Sequence, residues 1–346
     1  MNKVVIGSTD KNAGKTSIIV GMARTMGKGF GYMKPFGDRL HYRKKRSWDY
    51  DTALMTNIFS LEENPEHMTI GFEHSKLRYA YDETSARNKL VDMVHQVEAG
   101  KDVLFIEGGR DLRYGVSVHL DSIALARYLG CRLTVVTGGD EDSIMDNIAF
   151  LRKYLALSDV DFAGVIINKV HDVKDFKDAY LPGISRMGVN VLGVIPYEAG
   201  LARFSVGFLS DYLFARVVAG ERGLDRTVDN IFVGAMSVAD AFRHVLFQKK
   251  NRLMITSGDR SDMILASILE NETVGIVITN NILPPPNILS QSEERNIPLL
   301  LVPFDTYEAA RRIERIEPLL MEGDTAKIHR LEQLVRDHVN MELLGC

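Results

Sequence analysis

The sequence predicts an α/β protein made of two units, each a mostly parallel sheet flanked by helices. Three observations carry that expectation. Short apolar, β-branched runs recur along the 346 residues and alternate with helical patterns. Most of these runs end in polar or glycine-bearing turns, and ligands of open α/β sheets collect at that edge. The chain also changes character at Glu221, beyond which a second, shorter series of strands and helices begins. The expected segments are 1–215, a smaller unit over 216–324, and a helical tail over 325–346.

Val4, Val5 and Ile6 form the first buried strand. A polar loop from Ser8 to Ala13 follows, and Gly14-Lys15-Thr16 opens a helix through Arg24. Strand, loop and helix in this order aim backbone N–H groups, the positive end of the helix dipole and one ammonium at a single point. A polyphosphate fits there, with Lys15 on the outer phosphates and the Thr16 hydroxyl on Mg²⁺. Asp10, Lys11, Asn12, Ala13, Gly14 and Ser17 complete the candidate nucleotide-binding stretch. The pattern departs from G-x-x-x-x-G-K-[ST] at Thr9, where glycine is usual.

Gly31 to Met33 reads as a short strand stopped by Pro35, which holds Lys34 at the strand's end. Lys34 is then either a ligand-facing cation at the sheet edge or a surface lysine beside a turn. Residues 39–51 carry a dense basic run closed by Asp49 and Asp51. This run reads as a solvated loop, or as a lid with Asp49 or Asp51 reaching Mg²⁺. Trp48 is expected to anchor packing, and residues 60–85, polar and irregular, give His67 and His74 no ligand spacing. A helix runs from Glu83 to Glu98, apolar at Leu90, Val91, Met93, Val94 and Val97. Val103 to Ile106 is the next strand. Glu107 after it is a Mg²⁺-site residue, or else a cap or turn residue, and Gly108-Gly109 lets a ligand approach. Arg110, Asp111 and Arg113 border a substrate or form a solvated loop.

Three more β-α units follow, with strands over Leu133–Thr137, Ala163–Ile167 and Val191–Ile195. Asn168 stands where many P-loop folds read a nucleobase, and Pro196 ends the last strand. His171, three residues after Asn168, replaces the aspartate that guanine recognition uses, so adenine is favoured. Composition sets the outer bounds. With 45% hydrophobic and 25% charged residues the chain is an ordinary globular protein, and a net charge of −4 argues against a dedicated nucleic-acid binder. No run of about 18 apolar residues spans a bilayer, so no membrane partner is expected and the cytoplasm is the expected location. Cys131 and Cys346 make no disulfide framework or metal spacing, and Cys131 reads as a packed thiol.

GSTDKNAGKT, MKPFGD, an apolar strand into EGG, VIINK and GVIPY occur in the order seen in dethiobiotin synthetases and the cobyrinic acid amide synthetases. Closer still, the chain resembles the N-terminal regulatory part of long bacterial phosphate acetyltransferases. The resemblance implies a P-loop NTPase domain in which Lys15, Lys34, Thr16, Glu107 and one of Asp49 and Asp51 surround Mg-ATP, with Asn168 near the adenine. The segment from Arg110 to Gly115 and the insertion over 39–50 depart from the synthetases. Asp10 stands where the partition ATPases have an extra lysine.

From Glu221 the chain gives a polar connector near Gly220 to Thr227 and a strand over Ile231–Val233. Strands through RLMITS, TVGIVIT and IPLLLV follow, each leading to a helix, with Asp305 and Glu308 as a capping pair. GAMS at 234–237, GDRSD at 258–262 and Asp305-Thr306-Tyr307 resemble the DRTGG domain, with Asn280-Asn281 in place of a glycine pair. Asp259 and Arg260 are expected to pair across a dimer or bind an anion. The tail places Ile328, Leu331, Val335 and Val339 on one helical face within Thr325–Leu344. Two functional readings follow. One is an ATP-binding regulator or sensor acting through a DRTGG-like domain, as a homo-oligomer. The other is a Mg-ATP-dependent ligase of a small carboxylate or amine substrate, with Lys15 and Lys34 catalytic. Phosphate acetyl transfer by this chain alone is not expected, because no acetyltransferase domain is present in it.

Overall fold

The computed structural model describes residues 1–43, 46–156 and 159–342, and it divides into two compact units. The first comprises Met1–Glu198 together with the described residues from Leu320 onward; the second is Ala199–Leu319.

In the first unit β1 (Asn2–Ser8) leads into α1 (Lys15–Met26) and β2 (Phe30–Met33). The basic stretch then folds as a hairpin of β3 (Leu40–Arg43) and β4 (Arg46–Asp49), with Leu40 opposite Asp49. That differs from the expected loop; Lys44 and Lys45 lie outside the described residues. The hairpin delivers Asp49 as the N-cap of α2 (Tyr50–Phe59), where its carboxylate accepts from the N–H groups of Asp51 and Thr52. The stretch read as irregular contains a 3₁₀ turn, Pro65–His67, and α3 (His74–Ala80). Next come α4 (Glu83–Val97), β5 (Val103–Glu107), α5 (Ser122–Leu129), β6 (Arg132–Thr137), α6 (Glu141–Leu155) and β7 (Phe162–Val170). The run closes with α7 (Val173–Ala179), α8 (Leu181–Arg186) and β8 (Val191–Pro196).

The six-stranded sheet has the order β2-β5-β1-β6-β7-β8, and every pair is parallel. Val4, Val5 and Ile6 are all but inaccessible, as a central strand covered on both faces requires. From β1 the chain moves first to the β5–β2 side and later to the β6 side. The loop after β1 therefore opens at the point where the winding reverses, the usual crevice of such sheets.

In the second unit β9 (Phe204–Ser205), α9 (Val206–Leu213), β10 (Arg216–Ala219) and β11 (Thr227–Val228) precede the main series. The polar stretch expected as a connector lies inside this unit, between β10 and β11. The series itself is β12 (Asn230–Val233), α10 (Val238–Ala241), β13 (Arg252–Ser257), α11 (Ser261–Leu269), β14 (Thr273–Thr279), α12 (Pro286–Glu294), β15 (Leu299–Leu301) and α13 (Thr306–Glu314). The sheet order is β10-β15-β14-β13-β12, parallel except for β10. Asp305 caps α13 by accepting from Glu308 N–H at 2.8 Å. Asn280 and Asn281 take φ of 63° and 53°, the left-handed turn that asparagine tolerates. Arg260 is paired bidentately with Asp262 of its own chain, at 3.0 and 3.2 Å, so its charge is already met without a second subunit.

The chain then returns to the first unit as α14 (Thr325–His338), packed along α1. A Cβ on Gly21 of α1 would lie 2.5 Å from Val335 Cγ2 and 2.7 Å from the Leu331 carbonyl, so glycine sets the approach of the two helices. Ile328, Leu331 and Val335 are buried as their helical spacing predicts; Val339, expected on the same helical face, is buried beyond the helix end in extended backbone, while Leu343, Leu344 and Cys346 lie outside the described residues. Val339 bridges Gly193 and Asn340 N–H donates to the Leu192 carbonyl at 2.8 Å, closing the exposed edge of β8. Among the described residues no helix is long and apolar enough to cross a membrane.

Candidate functional site

The site forms where β1, β2 and β5 end. Gly14, with φ 101°, caps α1 without a side-chain bond, which leaves the first N–H groups of the helix to another acceptor. A Cβ at Gly14 would lie 2.4 Å from Asn168 Nδ2. Lys15 turns inward, 7% exposed, and donates to Ser8 Oγ at 2.8 Å and to the Arg110 carbonyl at 3.1 Å. Burial and the nearby Lys34 pull its pKa below the ordinary lysine value, against the pull of Glu107.

Glu107, the last residue of β5, is 1% exposed and binds two hydroxyls. Thr16 Oγ1 donates to its Oε1 at 3.0 Å and Tyr32 OH to its Oε2 at 2.8 Å. The strand register sets Glu107 beside Ile6, and hence beside the start of the loop. Burial raises its pKa, with Asp51 adding to the rise and Lys34 opposing it.

Lys34 follows β2 directly. Its N–H donates to the Met68 carbonyl and the Pro35 carbonyl accepts from Ile70 N–H, so the lysine–proline turn is fixed on both sides. Its ammonium, 2% exposed in the residue as a whole, contacts Asp51 Oδ2, Asp38 Oδ1 at 2.6 Å and Glu107 Oε1 at 3.6 Å. Burial alone would lower its pKa; Asp51, Asp49, Glu107 and Asp38 together hold it well above the ordinary value. Lys34 in turn pulls the Asp38 pKa down against its burial.

The structure separates Asp49 from Asp51. Asp49 Oδ1 accepts from the N–H groups of Asp51 and Thr52, and its Oδ2 from Asp38 N–H at 3.2 Å. Asp49 is thus a structural cap, and burial and the facing acids push its pKa up to about 7. Asp51 faces Lys34. Asp38, Asp49 and Asp51 can each offer an oxygen within 4.8 Å of the others. Asp38 and Tyr32 carry no role in the sequence reading; the clue for Asp38 is its place four residues after a buried lysine.

The remaining candidates lie on the loop and its far side. Asp10 accepts from Asn147 and Thr9, and Asn12, with φ 67°, accepts from Arg39 Nη2 at 2.9 Å. Lys11 is exposed, Ala13 is buried and Ser17 is half-buried on α1. Asn168 Nδ2 donates to the Ala13 carbonyl at 2.8 Å and Lys169 Nζ to that of Asn12 at 2.7 Å, so the end of β7 braces the loop. Pro196 pairs with Val170, and the rings of His171 and Tyr197 lie 4.6 Å apart beside it. Cys131 is buried, its thiol pushed up to about 11 by desolvation, as a packed thiol should be.

A lysine and a hydroxyl on a glycine-led helix, set against a strand-end carboxylate, define a P-loop protein of the α/β class. The chain belongs to the family described as AAA domain, which matches residues 2–205, and residues 209–316 match the DRTGG domain. The phosphate acetyltransferase of Nitratidesulfovibrio vulgaris is 23% identical to it, with 99% of this chain and 51% of that protein aligned. That of Synechocystis is 24% identical over the same shares. The chain therefore spans about half the length of these curated relatives, consistent with the N-terminal part of long phosphotransacetylases. A ParA family ATPase from Chlorobium tepidum is 13% identical, covers 58% of this chain and 87% of its own, and gives a TM-score of 0.38, too low to carry an argument.

Proposed function

We propose that the first unit binds Mg-ATP and that the second, DRTGG unit turns nucleotide occupancy into a regulatory output. One observation carries this reading: Lys15, Thr16 and Glu107 converge at the winding switch point, beside an uncapped helix N-terminus. The donor set suits a hard cation. Thr16 Oγ1, Glu107 and Asp51 are all oxygen ligands, and one or two carboxylates with phosphate oxygens are what Mg²⁺ takes. Asp49 is the weaker candidate, because its oxygens already accept three backbone N–H bonds. A bound Mg²⁺ would neutralise phosphate charge. Lys15 would exchange its two neutral acceptors for phosphate oxygens, and the adenine would lie near Asn168 and Pro196.

A Mg-ATP-dependent ligase of the dethiobiotin synthetase type is the second reading, favoured by a charged, buried Lys34 next to Glu107. Against it, that ammonium is already matched by three carboxylates and would have to leave them to meet an anionic substrate. Calorimetry with ATP and Mg²⁺, followed by phosphate release, separates the two. Binding with negligible turnover is expected; turnover that rises with one small metabolite would favour the ligase. Lys15→Ala should weaken ATP binding by about 1.5–3 kcal/mol, or roughly 10- to 150-fold. An affinity within about threefold of wild type would reject the phosphate-loop assignment.

A further inference from the structure

The second unit is reached by two chain connections, and each is fastened within the first unit to a helix that carries or supports the site. At the entrance, Glu198 pairs with Arg330 of α14 at 2.6 and 2.8 Å. That helix lies along α1, the helix begun by Lys15, and Thr25 Oγ1 of α1 donates to the Glu332 carbonyl at 3.3 Å. At the exit, the Leu320 carbonyl accepts from Tyr50 OH at 3.0 Å. The exit turn is itself ordered, since Asp324 accepts from Met321 N–H at 3.0 Å and pairs with Lys327 at 3.1 Å.

Tyr50 stands between Asp49 and Asp51 at the start of α2. Its N–H donates to the Arg39 carbonyl at 2.8 Å, and the Arg39 guanidinium donates to Asn12 of the phosphate loop at 2.9 Å. One residue thus joins the phosphate loop, the acidic group and the point where the chain leaves the second unit. Its hydroxyl donates to the Leu320 carbonyl.

We propose that Tyr50 is a positioning residue that passes nucleotide occupancy to the second unit by setting the Leu320 connection. The proposal rests on the nucleotide-binding reading above. A phosphate taken by Lys15 and a cation taken by Asp51 both alter what the loop and α2 are bonded to, and a ligand shifts a distant element only through contacts that differ between the two states.

The test is hydrogen exchange of the full chain with and without ATP and Mg²⁺, with calorimetry on the same samples, for wild type, Tyr50→Phe and Arg330→Gln. Tyr50→Phe keeps the ring and removes the hydroxyl that donates to Leu320, and a thermal melt checks that it folds. In wild type, nucleotide should change exchange rates within 199–319 by at least about threefold. Tyr50→Phe should bind ATP within about threefold of wild type yet lose most of that change, and Arg330→Gln should lose a smaller part. An undiminished response in Tyr50→Phe, or no response in wild type despite measured binding, overturns the proposal. No binding in calorimetry overturns the nucleotide reading itself, and this proposal with it.

Discussion

The two units share a parallel α/β plan but treat charge in opposite ways. In the first, Lys15, Lys34, Asp49, Asp51 and Glu107 are all buried at or near the strand ends where ligands bind. In the second, the corresponding strand ends carry buried neutral hydroxyls, such as Thr256 and Thr279, and a surface-exposed Arg260–Asp262 pair. Its buried cation, Arg252, opens β13 at the far end of the sheet, where it meets Thr273 at 2.7 Å and the face of Phe247 at 3.9 Å rather than a carboxylate. Desolvated ions are costly and must be matched, so they collect where a function repays the cost. Topology supplies the crevice in both units; buried charges gather at it in the first and hydroxyls in the second.

Substitutions can break or sharpen that contrast. The largest effect is expected from Lys34→Met, which leaves Asp38, Asp51 and Glu107 buried without their cation. It should destabilise the first unit by about 3–5 kcal/mol at pH 8, read by urea unfolding. A loss under about 1 kcal/mol would mean that the carboxylates are far better solvated than their burial implies.

Asp49→Asn should act in the other direction. Asparagine keeps the cap to Asp51 and Thr52 but cannot accept the Asp38 N–H as Oδ2 does, a loss independent of pH, so the charge is read from the pH dependence. The folded Asp49 titrates near 7 against an ordinary 3.8, so folding takes up a proton between those values. The favourable contribution is complete below the ordinary pKa and is lost as pH rises through about 7. The stability of metal-free Asp49→Asn relative to wild type should therefore rise by about 2–4 kcal/mol between pH 4 and pH 8. A gap that shrinks with rising pH would refute the assignment.

Arg252→Met in the second unit should cost at most about 2 kcal/mol, since it removes a buried ion along with its hydrogen bond and ring contact. A loss as large as that for Lys34 would erase the contrast. The smallest effect is expected from Asn281→Gly, which relieves a left-handed residue and should change stability by less than about 1 kcal/mol. Melting curves would register it as a shift of a few degrees at most.

Much of this was legible in the sequence because strand ends announce themselves. Lys34 and Glu107 each follow or close an apolar run, Lys15 and Thr16 open the helix after the loop that follows one, and parallel topology brings such positions together. What stayed hidden depends on partners distant in sequence. Asp49 and Asp51 look alike until the hairpin fixes which one faces backbone N–H groups and which faces Lys34. The hairpin has no alternating apolar face to betray it, only a basic run. α5 is eight residues long, too short for its period to stand out. The edge strand β10 hides in a stretch read as the boundary of a domain. α14 was visible as a helix, but nothing local says that its apolar stripe belongs against Gly21, some three hundred residues earlier.

That return has a consequence for how the chain is made. As synthesis proceeds from the N-terminus, α1 emerges well before its covering helix, with the whole of the second unit made between them. The second unit is continuous in sequence and is complete while one face of α1 still lacks its cover. The first unit, begun before the second, is thus completed after it, and a chain cut short before Thr325 would carry the loop after β1 on a half-covered helix.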